Sequence, residues 1–536
     1  MRQKKGMLKL YKSVVAALTL LLAVSCSMDK RASEERPNII LILADDMGYS
    51  DLGCYGGEIN TPNLDLLAEE GVRFTQFYNA ARCCPTRASL LTGLYPHQAG
   101  LGAMVNTPGS DPEGPYQGYL SKHSVTIAEV LKEVNYYTAA SGKWHVGEER
   151  PHWPTDRGFD NYYGLISGAA NYFDITRTKK EGIKRHFAID SLEYMPPKQG
   201  FYMTDAITEN AIKFLKVAEE KDQPFFLYLA YTAPHWPLHA KQEDIDKYTG
   251  KYLKGWDVLR QERYDRMIDM GLIDKNWGLS NRDAQVTPWD ELNEEKKQQM
   301  DLLMSIYAAQ VDCLDQGIGK VMSHLNAMGA KDNTIVMFLS DNGGSEETGP
   351  FGQDFWGNFW DGEERLGSGD SYHSYGGSWA NLSNTPFRYY KKRTHEGGVA
   401  TPLIVRWPDQ IEQKGELIHQ PGHIIDIMAT ICDIADATYP KTYKNNTIIQ
   451  LEGKSIYPAL QGKEIQREDP IFWEHIGNRA IRLGNWKMVA REGEAWELFD
   501  LSSDRSEMNN LIEAEQAKAD ELLELYQEWA DKVGVK

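Results

Sequence analysis

Four continuous apolar segments constrain the fold of this chain more than any other feature. They lie at residues 38–44, 224–231, 334–340 and 401–407. Uninterrupted runs of this length are typical of parallel strands that are covered on both faces, because a strand with one face in water alternates apolar and polar residues. Helical patterns lie between them, at residues 61–71, 124–135, 204–219 and 291–328. This alternation predicts an α/β fold with a mostly parallel central sheet sandwiched by helices.

Shorter patterns near the C-terminus predict a second, smaller domain. Short strands separated by turns are predicted at residues 480–483, 486–491 and 496–500, and a helix follows at 513–533. Such strands are typical of an antiparallel sheet. Because 536 residues are also too many for one simple core, we predict a main domain over residues 37–465 and a C-terminal α+β domain over residues 466–536.

Two long segments of the main domain do not share the strand and helix alternation. Residues 243–290 are charged and contain tryptophan, which favours an insertion over the rim of the sheet. Residues 343–385 are rich in Gly, Ser, Trp and Asp without a sustained period, which predicts a long loop. Long loops in compact domains usually serve as lids or binding surfaces.

The N-terminus has the pattern of a targeting segment. A basic start precedes an apolar run at 13–24 that is too short for a stable membrane span. Cys26 then follows small residues, as at the end of a bacterial lipobox, although residues 23–25 lack the usual leading Leu. We therefore predict a signal peptide over 1–26, lipidation of Cys26 and a tether over 27–36. The protein would be exported, to the periplasm or to the outer membrane, with a lipid anchor as its only membrane contact. Simple secretion, with Cys26 in the discarded peptide, is the alternative.

Charge and cysteine content exclude two classes of protein. A net charge of −19 argues against a nucleic-acid partner, because phosphate binding needs a basic surface. It also means that any anion site needs a local cluster of positive groups. Besides Cys26, an odd number of cysteines at irregular spacing does not form a disulfide framework; they are Cys54, Cys83, Cys84, Cys313 and Cys432.

Acidic residues directly follow two of the predicted strands. Asp45 and Asp46 come after the first apolar run, and Asp341 and Asn342 come after the third. Ligands of open α/β sheets gather outside the carboxyl ends of the strands. Carboxylate and amide oxygens converging there suit Ca²⁺ or Mg²⁺ rather than Zn²⁺. Each pair taken alone is better explained by helix capping or turn formation.

Residues 81–93 combine two cysteines with the predicted start of a helix near Thr86. The free N–H groups and partial positive charge of a helix N-terminus favour an anion. Cys83 would lie at that end, with Arg87 one turn further on, which indicates an activated cysteine near an anion site. A polar loop with buried cysteines is the structural alternative.

The same segment resembles the signature of a known enzyme family. Cys83-Cys84-Pro85-Thr86-Arg87, followed by Leu-Thr-Gly at 91–93, is similar to the signature of the formylglycine-dependent type I sulfatases, in the arylsulfatase-like branch of the alkaline phosphatase superfamily. The resemblance implies that a maturation enzyme converts Cys83, two residues before the proline, to an aldehyde. Thr86 replaces the commoner Ser, which puts the efficiency of that conversion in doubt.

Further motifs follow in the order of that family. Lys143 and His145 lie in Gly-Lys-Trp-His, which resembles the second sulfatase signature, and His235 lies in Ala-Pro-His-Trp-Pro at 233–237. Lys391, five residues before Glu396, matches the spacing of the family's catalytic lysine, and spacing alone decides against Lys392 and Arg393. The segment 496–511 resembles the family's C-terminal ending.

The resemblance implies one Ca²⁺ ion and a sulfate ester substrate. The ion would be held by Asp45, Asp46, Asp341, Asn342 and the hydrated aldehyde of residue 83. An ordinary Ser or Thr would not suffice as nucleophile, because only a hydrated aldehyde can expel the sulfate that it has accepted.

The resemblance also implies roles for five other side chains. Lys143, His235 and Lys391 would bind the sulfuryl oxygens, and His235 or Lys391 would protonate the leaving alcohol. Arg87 would steady the hydrated aldehyde, and His145 would remove a proton from it. These positive groups and Ca²⁺ would also provide the local cluster that the acidic chain needs.

The substrate is the least constrained part of this prediction. A sulfated saccharide, such as a 3-sulfated galactose of a host glycan, fits an exported protein rich in Trp and Tyr. His97, His239 and His395 flank the motifs and are candidate substrate contacts, although a lone histidine is more often structural. The alternatives are an aryl sulfate substrate, a phosphate or phosphonate monoesterase of the same superfamily, and an inactive glycan-binding lipoprotein.

Overall fold

A mixed sheet, mostly parallel, forms the centre of the computed structural model, which describes residues 36–536 except 106, 108, 110, 179–183, 222 and 355–364. The predicted signal peptide and Cys26 lie outside the described residues, as does the tether apart from Arg36. The strands are β1 Asn38–Ala44, β2 Val72–Tyr78, β3 Tyr137–Gly142, β4 Asn161–Leu165, β5 Phe187–Ile189, β6 Leu192–Glu193, β7 Phe225–Ala230, β8 Thr334–Ser340, β9 Ala400–Arg406, β10 Leu417–Ile418 and β11 Gly422–His423.

Helices cover both faces of this sheet, and short elements connect them. The α-helices are α1 Pro62–Glu70, α2 Cys83–Thr92, α3 Ile127–Lys132, α4 Met203–Lys221, α5 Gln242–Ile245, α6 Trp256–Asp269, α7 Glu294–Ala327, α8 Gly376–Ser383, α9 Glu396–Val399, α10 Asp426–Ile434, α11 Tyr457–Leu460 and α12 Gln516–Val533. Single 3₁₀ turns lie at Gly53–Tyr55, Pro154–Arg157, Lys251–Lys254 and Trp289–Glu291. Buried side chains form a core on each face of the sheet.

The strand order places the first predicted strand at the centre of the sheet. The order is β10-β2-β9-β8-β1-β7-β3-β4-β5-β6, with β11 beside β2. β1 pairs in parallel with both β7 and β8, and β7 pairs in parallel with β3. β1, β7 and β8 are almost completely buried, as their continuous apolar sequences predict. β3 is equally buried, but its sequence contains Thr, Ser and Gly and was not predicted as a strand. The predicted α/β fold with a mostly parallel central sheet is confirmed.

The orientation predicted for the fourth apolar run is wrong. β9 is antiparallel to both of its neighbours, β2 and β8. It is buried along its whole length like the parallel strands. An apolar run reports that both faces are covered and carries no information on direction, so the pattern alone could not distinguish the two orientations.

The predicted loop at 343–385 contains a helix, α8, that the sequence pattern did not indicate. Its central residue Trp379 is fully buried, and its indole ring contacts those of Trp256 and Trp289 at centroid distances of 5.2 and 5.8 Å. The Trp379 indole N–H donates to the carbonyl of Met300 at 2.9 Å. Since the helix is buried on all sides, it has no polar face and hence no amphipathic period.

A second, antiparallel sheet follows the main one in the chain. Its strands are β14 Ile471–His475, β15 Asn478–Leu483, β16 Trp486–Ala490 and β17 Glu497–Asp500, after a small hairpin of β12 Thr442–Tyr443 and β13 Asn446–Thr447. The three C-terminal strands and the final helix α12 agree with the sequence prediction, which missed only β14. The C-terminal antiparallel sheet is therefore confirmed.

A buried ionic cluster ties this second sheet to the first. Glu396 accepts hydrogen bonds from Lys487 Nζ and Arg505 Nε, both at 2.8 Å, and from the Tyr78 hydroxyl at 2.9 Å. Lys487 also pairs with Glu507 at 2.8 Å. All four charged side chains are fully buried. Burial would raise the pKa of Glu396, but Lys487 and Arg505 outweigh it and lower that pKa to about 2.

Replacing Glu396 by Gln is expected to lower the free energy of unfolding by about 3–5 kcal/mol, because buried Arg505 loses its carboxylate partner and Lys487 keeps only Glu507. The Glu396 carboxylate stabilises the native state fully above its unfolded pKa of about 4.5, and this contribution is lost as the pH falls towards 2. Urea unfolding measures the change. The exposed pair of Lys122 and Glu113 provides a control, since Glu113→Gln should cost less than about 1 kcal/mol. Equal costs for the two variants would contradict the role of the cluster.

Candidate active site

The polar residues singled out in the sequence converge where four neighbouring strands end. Asp45 and Asp46 follow β1, Asp341 follows β8, Lys143 follows β3, and His235 lies five residues beyond β7. The carboxyl ends of parallel neighbours meet at one edge of a sheet, which brings together Asp46 and Asp341 although they are 295 positions apart in the chain.

The acidic residues form one buried cluster. The amide N–H of Asp46 donates to Asp341 Oδ1 at 3.2 Å, and the side-chain amide of Asn342 donates to Asp46 Oδ1 at 2.7 Å. Asp45 Oδ1 and Asn342 Oδ1 are buried and have no hydrogen-bond partner among the residues that the structure describes. Two oxygen acceptors are thus left unsatisfied within a group of carboxylates.

Three cationic side chains surround this cluster. Lys143 Nζ donates to Asp45 Oδ2 at 2.7 Å, and Lys391 Nζ donates to Asp46 Oδ2 at 2.8 Å. Arg87 binds Asp341 Oδ2 through Nε at 3.1 Å and Nη2 at 2.8 Å. All three side chains are buried. This is the local concentration of positive charge that an anion site in an acidic protein requires.

Burial is the largest single influence on the pKa of each of the three carboxylates. It raises the pKa of Asp45 against the opposing effect of Lys143 and Arg87, and it raises the pKa of Asp341 well above its usual range, with the negative charge of Asp45 adding to the effect. Burial would also raise the pKa of Asp46, but His235 and Lys391 lower it overall. Burial therefore works against ionisation of Asp45 and Asp341, although Lys143 and Arg87 lie beside them.

Cys83 is the first residue of helix α2, which begins three residues before the predicted start at Thr86. It is buried at the positive end of that helix. Hydrogen bonding from Cys84 lowers the Cys83 pKa well below its usual range, and the electrostatic interactions with Lys143 and His145 add to this effect against the cost of burial. Thr86 Oγ1 accepts from the amide of Ala80 at 2.9 Å, so the residue that replaces the commoner Ser also holds the preceding turn.

His145 lies against both thiols. Its Nε2 is 3.3 Å from Cys84 Sγ, and burial lowers its pKa to about 4. Its backbone φ is +56°, and that of Asp46 is +68°, a left-handed region that non-glycine residues rarely adopt and that is concentrated at functional sites.

Two residues of the site were not found by sequence reasoning. Gly168 faces the His145 ring so closely that a Cβ there would lie 2.3 Å from Nε2. Glu347 Oε2 lies 3.3 Å from Lys391 Nζ, and its other oxygen lies 2.7 Å from Lys392 Nζ. Neither residue lies within a recognisable motif, and only the folded chain brings them to the site.

The structure separates Lys391 from the two adjacent basic residues. Lys391 Nζ reaches Asp46 and lies 3.4 Å from His235 Nε2, which in turn is 3.5 Å from Asp46 Oδ2. Lys392 is partly exposed and pairs with Glu347, and Arg393 donates to Asn478 at 3.2 Å. The structure therefore places Lys391, and neither Lys392 nor Arg393, inside the cluster of carboxylates.

The candidate substrate histidines lie outside this cluster, and each is buried with a partner of its own. His97 Nε2 is 2.8 Å from Glu474, His395 Nε2 is 3.0 Å from Glu497, and His239 contacts the carbonyl of Ser371. Their role as substrate contacts stays a prediction.

Comparison with protein-family models identifies this arrangement. The model described as "Sulfatase" matches residues 37–437, which is well over half of the chain. A second model, described as "N-sulphoglucosamine sulphohydrolase, C-terminal", matches residues 386–529 and thus includes the second sheet.

Curated relatives and solved structures agree with the family models. The chain is 36% identical to an uncharacterized sulfatase of Schizosaccharomyces pombe, over 95% of this chain and 96% of that protein. It is 33% identical to an arylsulfatase of Klebsiella aerogenes, over 83% of this chain and 96% of the relative. The crystal structure of Ps i-CgsB in complex with k-i-k-neocarrahexaose superposes with a TM-score of 0.68 at 29% identity, covering 92% of this chain and 93% of the other. The chain therefore belongs to the sulfatase family, as a type I sulfatase of alkaline phosphatase-like fold, and its activity is the hydrolysis of sulfuric esters.

Proposed function

We propose that this sulfatase removes sulfate from saccharides, using a formylglycine made from Cys83 and one bound Ca²⁺ ion. The observation that carries the proposal is the position of Cys83, at a buried helix N-terminus where it interacts electrostatically with Lys143, Arg87 and Asp45. A sulfate monoester is anionic, and its leaving oxygen gains charge as the S–O bond breaks. Catalysis therefore needs fixed positive groups around the sulfuryl oxygens.

The donor atoms of the acidic cluster fit a hard cation. Asp45, Asp46, Asp341 and Asn342 offer oxygen ligands, which Ca²⁺ prefers. Asp45 Oδ1 and Asn342 Oδ1, buried without a hydrogen bond among the described residues, would gain a partner in the ion. Burial raises the pKa values of Asp45 and Asp341, and a bound cation would favour their ionised forms. Bound there, Ca²⁺ would supply positive charge opposite the sulfuryl oxygens.

Each cationic side chain has a position from which it can act on the substrate. Lys143 and Lys391 bracket the carboxylates and would hold the sulfuryl oxygens. His235, in contact with Lys391, would share in that binding, and one of the two would protonate the leaving alcohol. Arg87, held by Asp341, would orient residue 83, and His145, which lies against the Cys83–Cys84 pair, would accept its proton. Formylglycine supplies a hydrated aldehyde, whose two hydroxyls allow both attack on sulfur and release of sulfate.

Several features favour a saccharide over a simple aryl group. Trp236 is partly exposed beside His235, with the two rings stacked at 5.6 Å between centroids, and Glu347 accepts from its indole N–H at 2.8 Å. Aromatic faces and carboxylates are the groups that bind the faces and hydroxyls of sugars. Ps i-CgsB, a relative with 29% identity, was crystallised with a hexaose. We propose 3-sulfated galactose as the first sugar to test.

Release of sulfate should be fastest from a position-defined sulfated saccharide. We expect a higher kcat/KM on such a substrate than on an aryl sulfate, and a much lower value on the matching aryl phosphate. Ion chromatography of released sulfate and phosphate measures all three. Preference for the aryl sulfate would contradict the saccharide assignment, and preference for the phosphate would favour a phosphate or phosphonate monoesterase instead.

Gly168→Ala is expected to lower kcat by about 100-fold, because a displacement of about 1 Å at a catalytic group has an effect of that order. The new methyl would displace the His145 ring. KM should change little, and the loss should vanish when Gly168→Ala is combined with His145→Ala, since both changes remove the same function. Gly278→Ala is the matched control, because a Cβ there has open space. An additive loss in the double variant would contradict a role through His145.

We also propose that the protein is an exported lipoprotein attached through Cys26. The support is the sequence pattern of residues 1–26. Within the described part of the chain, no helix combines the length and apolar content needed to cross a membrane.

A further inference from the structure

Two thiols and an imidazole meet at the start of helix α2. Cys83 and Cys84 are its first two residues, and His145 approaches from the loop after β3. The Sγ atoms of the two cysteines and a ring nitrogen of His145 all lie within 4.8 Å of one another, and all three residues are buried. The mechanism proposed above uses residue 83 as an aldehyde and assigns no role to Cys84.

The spacing of these three atoms suits a soft metal ion. Zinc binds thiolate sulfur at about 2.3 Å and imidazole nitrogen at about 2.0–2.1 Å in tetrahedral geometry, so its ligand atoms lie roughly 3.5–3.8 Å apart. Cys84 Sγ and His145 Nε2 are already 3.3 Å apart. Cys83 Sγ lies within 4.8 Å of the other two ligand atoms, so these two distances would need to shorten by about 1 Å at most. The fourth position would be left to water, as in other zinc sites with three protein ligands.

The His145 ring is available for this role. Its Nδ1 is buried and has no hydrogen-bond partner within the described residues, so no protein contact there fixes the ring in a tautomer that blocks Nε2. Nε2 faces Cys84. Gly168 packs directly against the ring, and its lack of a side chain allows His145 to occupy this position.

The surrounding charges also permit a metal ion. The nearest cations, Lys143 and Arg87, are already paired with Asp45 and Asp341 at 2.7 and 2.8 Å. Two thiolates would balance a divalent ion without help from these carboxylates. Sulfur and nitrogen ligands select zinc or copper(I) over calcium, so this group differs in chemistry from the oxygen cluster beside it.

We propose that the chain in which residue 83 is still cysteine binds one soft metal ion, of the zinc class, through Cys83, Cys84 and His145. The inference rests on the proposed function only in taking Cys83 as the residue that is later modified. Once residue 83 is an aldehyde, one of the two thiolates is gone and the soft site loses most of its affinity. Maturation thereby changes the ligand set at the helix N-terminus from sulfur to oxygen, and a captured soft ion occupies the active site of the unmodified chain.

Titration of the unmodified protein with Co²⁺ tests the proposal. The full chain is produced without a maturation enzyme, its Cys83 thiol is verified by mass, and Co²⁺ is added under reducing, anaerobic conditions. We expect one Co²⁺ ion per chain, with thiolate-to-cobalt charge-transfer absorption and the visible bands of tetrahedral cobalt. Zn²⁺ should displace it, and competition with a chromophoric chelator gives the zinc Kd.

Variants distinguish the site from other thiols. Cys84→Ala and His145→Ala should each weaken zinc binding by about 100-fold or more, since even loss of an outer-shell partner costs 10–100-fold. Cys84→Ser provides a second variant that preserves volume. Cys313→Ala, which removes a buried thiol beside Asp205, should change nothing. Protein in which residue 83 has been converted should bind zinc as weakly as the Cys84 variants.

Absence of the charge-transfer band, or a band that survives in both Cys84 variants, would overturn the proposal. So would equal zinc affinity before and after conversion of residue 83. These measurements do not depend on catalysis, so the proposed metal site can prove wrong although the enzyme is an active sulfatase. Conversely, the enzyme can prove not to use formylglycine while the thiol site binds zinc.

Discussion

Replacing Cys83 by Ala should abolish sulfate ester hydrolysis and leave the fold intact. Removal of a catalytic nucleophile lowers kcat by about 10⁶-fold in a well-studied hydrolase, which here means a rate at background. The side chain is small and buried at a helix end, so its loss should cost little of the fold. Steady-state assays on an aryl sulfate and circular dichroism measure the two effects.

Cys84→Ala is the matched control for this prediction. Cys84 is equally buried, belongs to the same helix and contacts His145. It supplies no reacting atom, so its removal should cost no more than one hydrogen bond, about 1 kcal/mol or roughly fivefold in rate. Activity that survives in Cys83→Ala but is lost in Cys84→Ala would overturn the assignment of the nucleophile.

Removal of the metal ion should lower activity by about 10³-fold or more, since a bound ion contributes several kcal/mol of transition-state stabilisation. Without the ion, the side chains that would otherwise bind the substrate stay paired with the carboxylates. The pairs are Lys143 with Asp45, Lys391 with Asp46, and Arg87 with Asp341. The protein is treated with a chelator, desalted and assayed on an aryl sulfate. Ca²⁺ should restore turnover, and Zn²⁺ should not.

Thermal unfolding of the same samples provides a second readout. An ion that binds only the native state raises the melting temperature as its concentration rises. Asp341→Asn should weaken both this shift and the reactivation by Ca²⁺, because it removes one carboxylate from the cluster. Full activity after exhaustive chelation, or better recovery with Zn²⁺, would contradict a calcium site.

The sequence predicts the centre of this fold well, since strands β1 and β8 have the predicted bounds. Their burial on both faces excludes polar residues, and that signal is local in the chain. The antiparallel direction of β9 and the buried helix at Trp379 could not be predicted, because both depend on which partners cover them. Local periodicity contains no such information.

The residues of the candidate site also differ in whether a local pattern in the sequence could reveal them. Asp45 and Asp341 could be found because each directly follows a predicted strand. Lys143 and Cys83 could be found because each lies in a segment that resembles a family motif. Gly168 could not, since its importance is the space that it leaves for a ring 23 positions earlier in the sequence. Glu347 likewise belongs to a segment without a sustained period or a motif. Only its contacts with Lys391 and Lys392 in the folded chain show that it belongs to the site.

Mass spectrometry of the peptide that contains residue 83, from active protein purified from its native host, tests the central claim most directly. The account predicts a residue in which the cysteine sulfur is replaced by oxygen with the loss of two hydrogens, and which reacts with a hydrazide probe as an aldehyde does. The peptide must also contain Cys84 as an unmodified thiol. A fully active preparation in which residue 83 is entirely thiol would contradict the account.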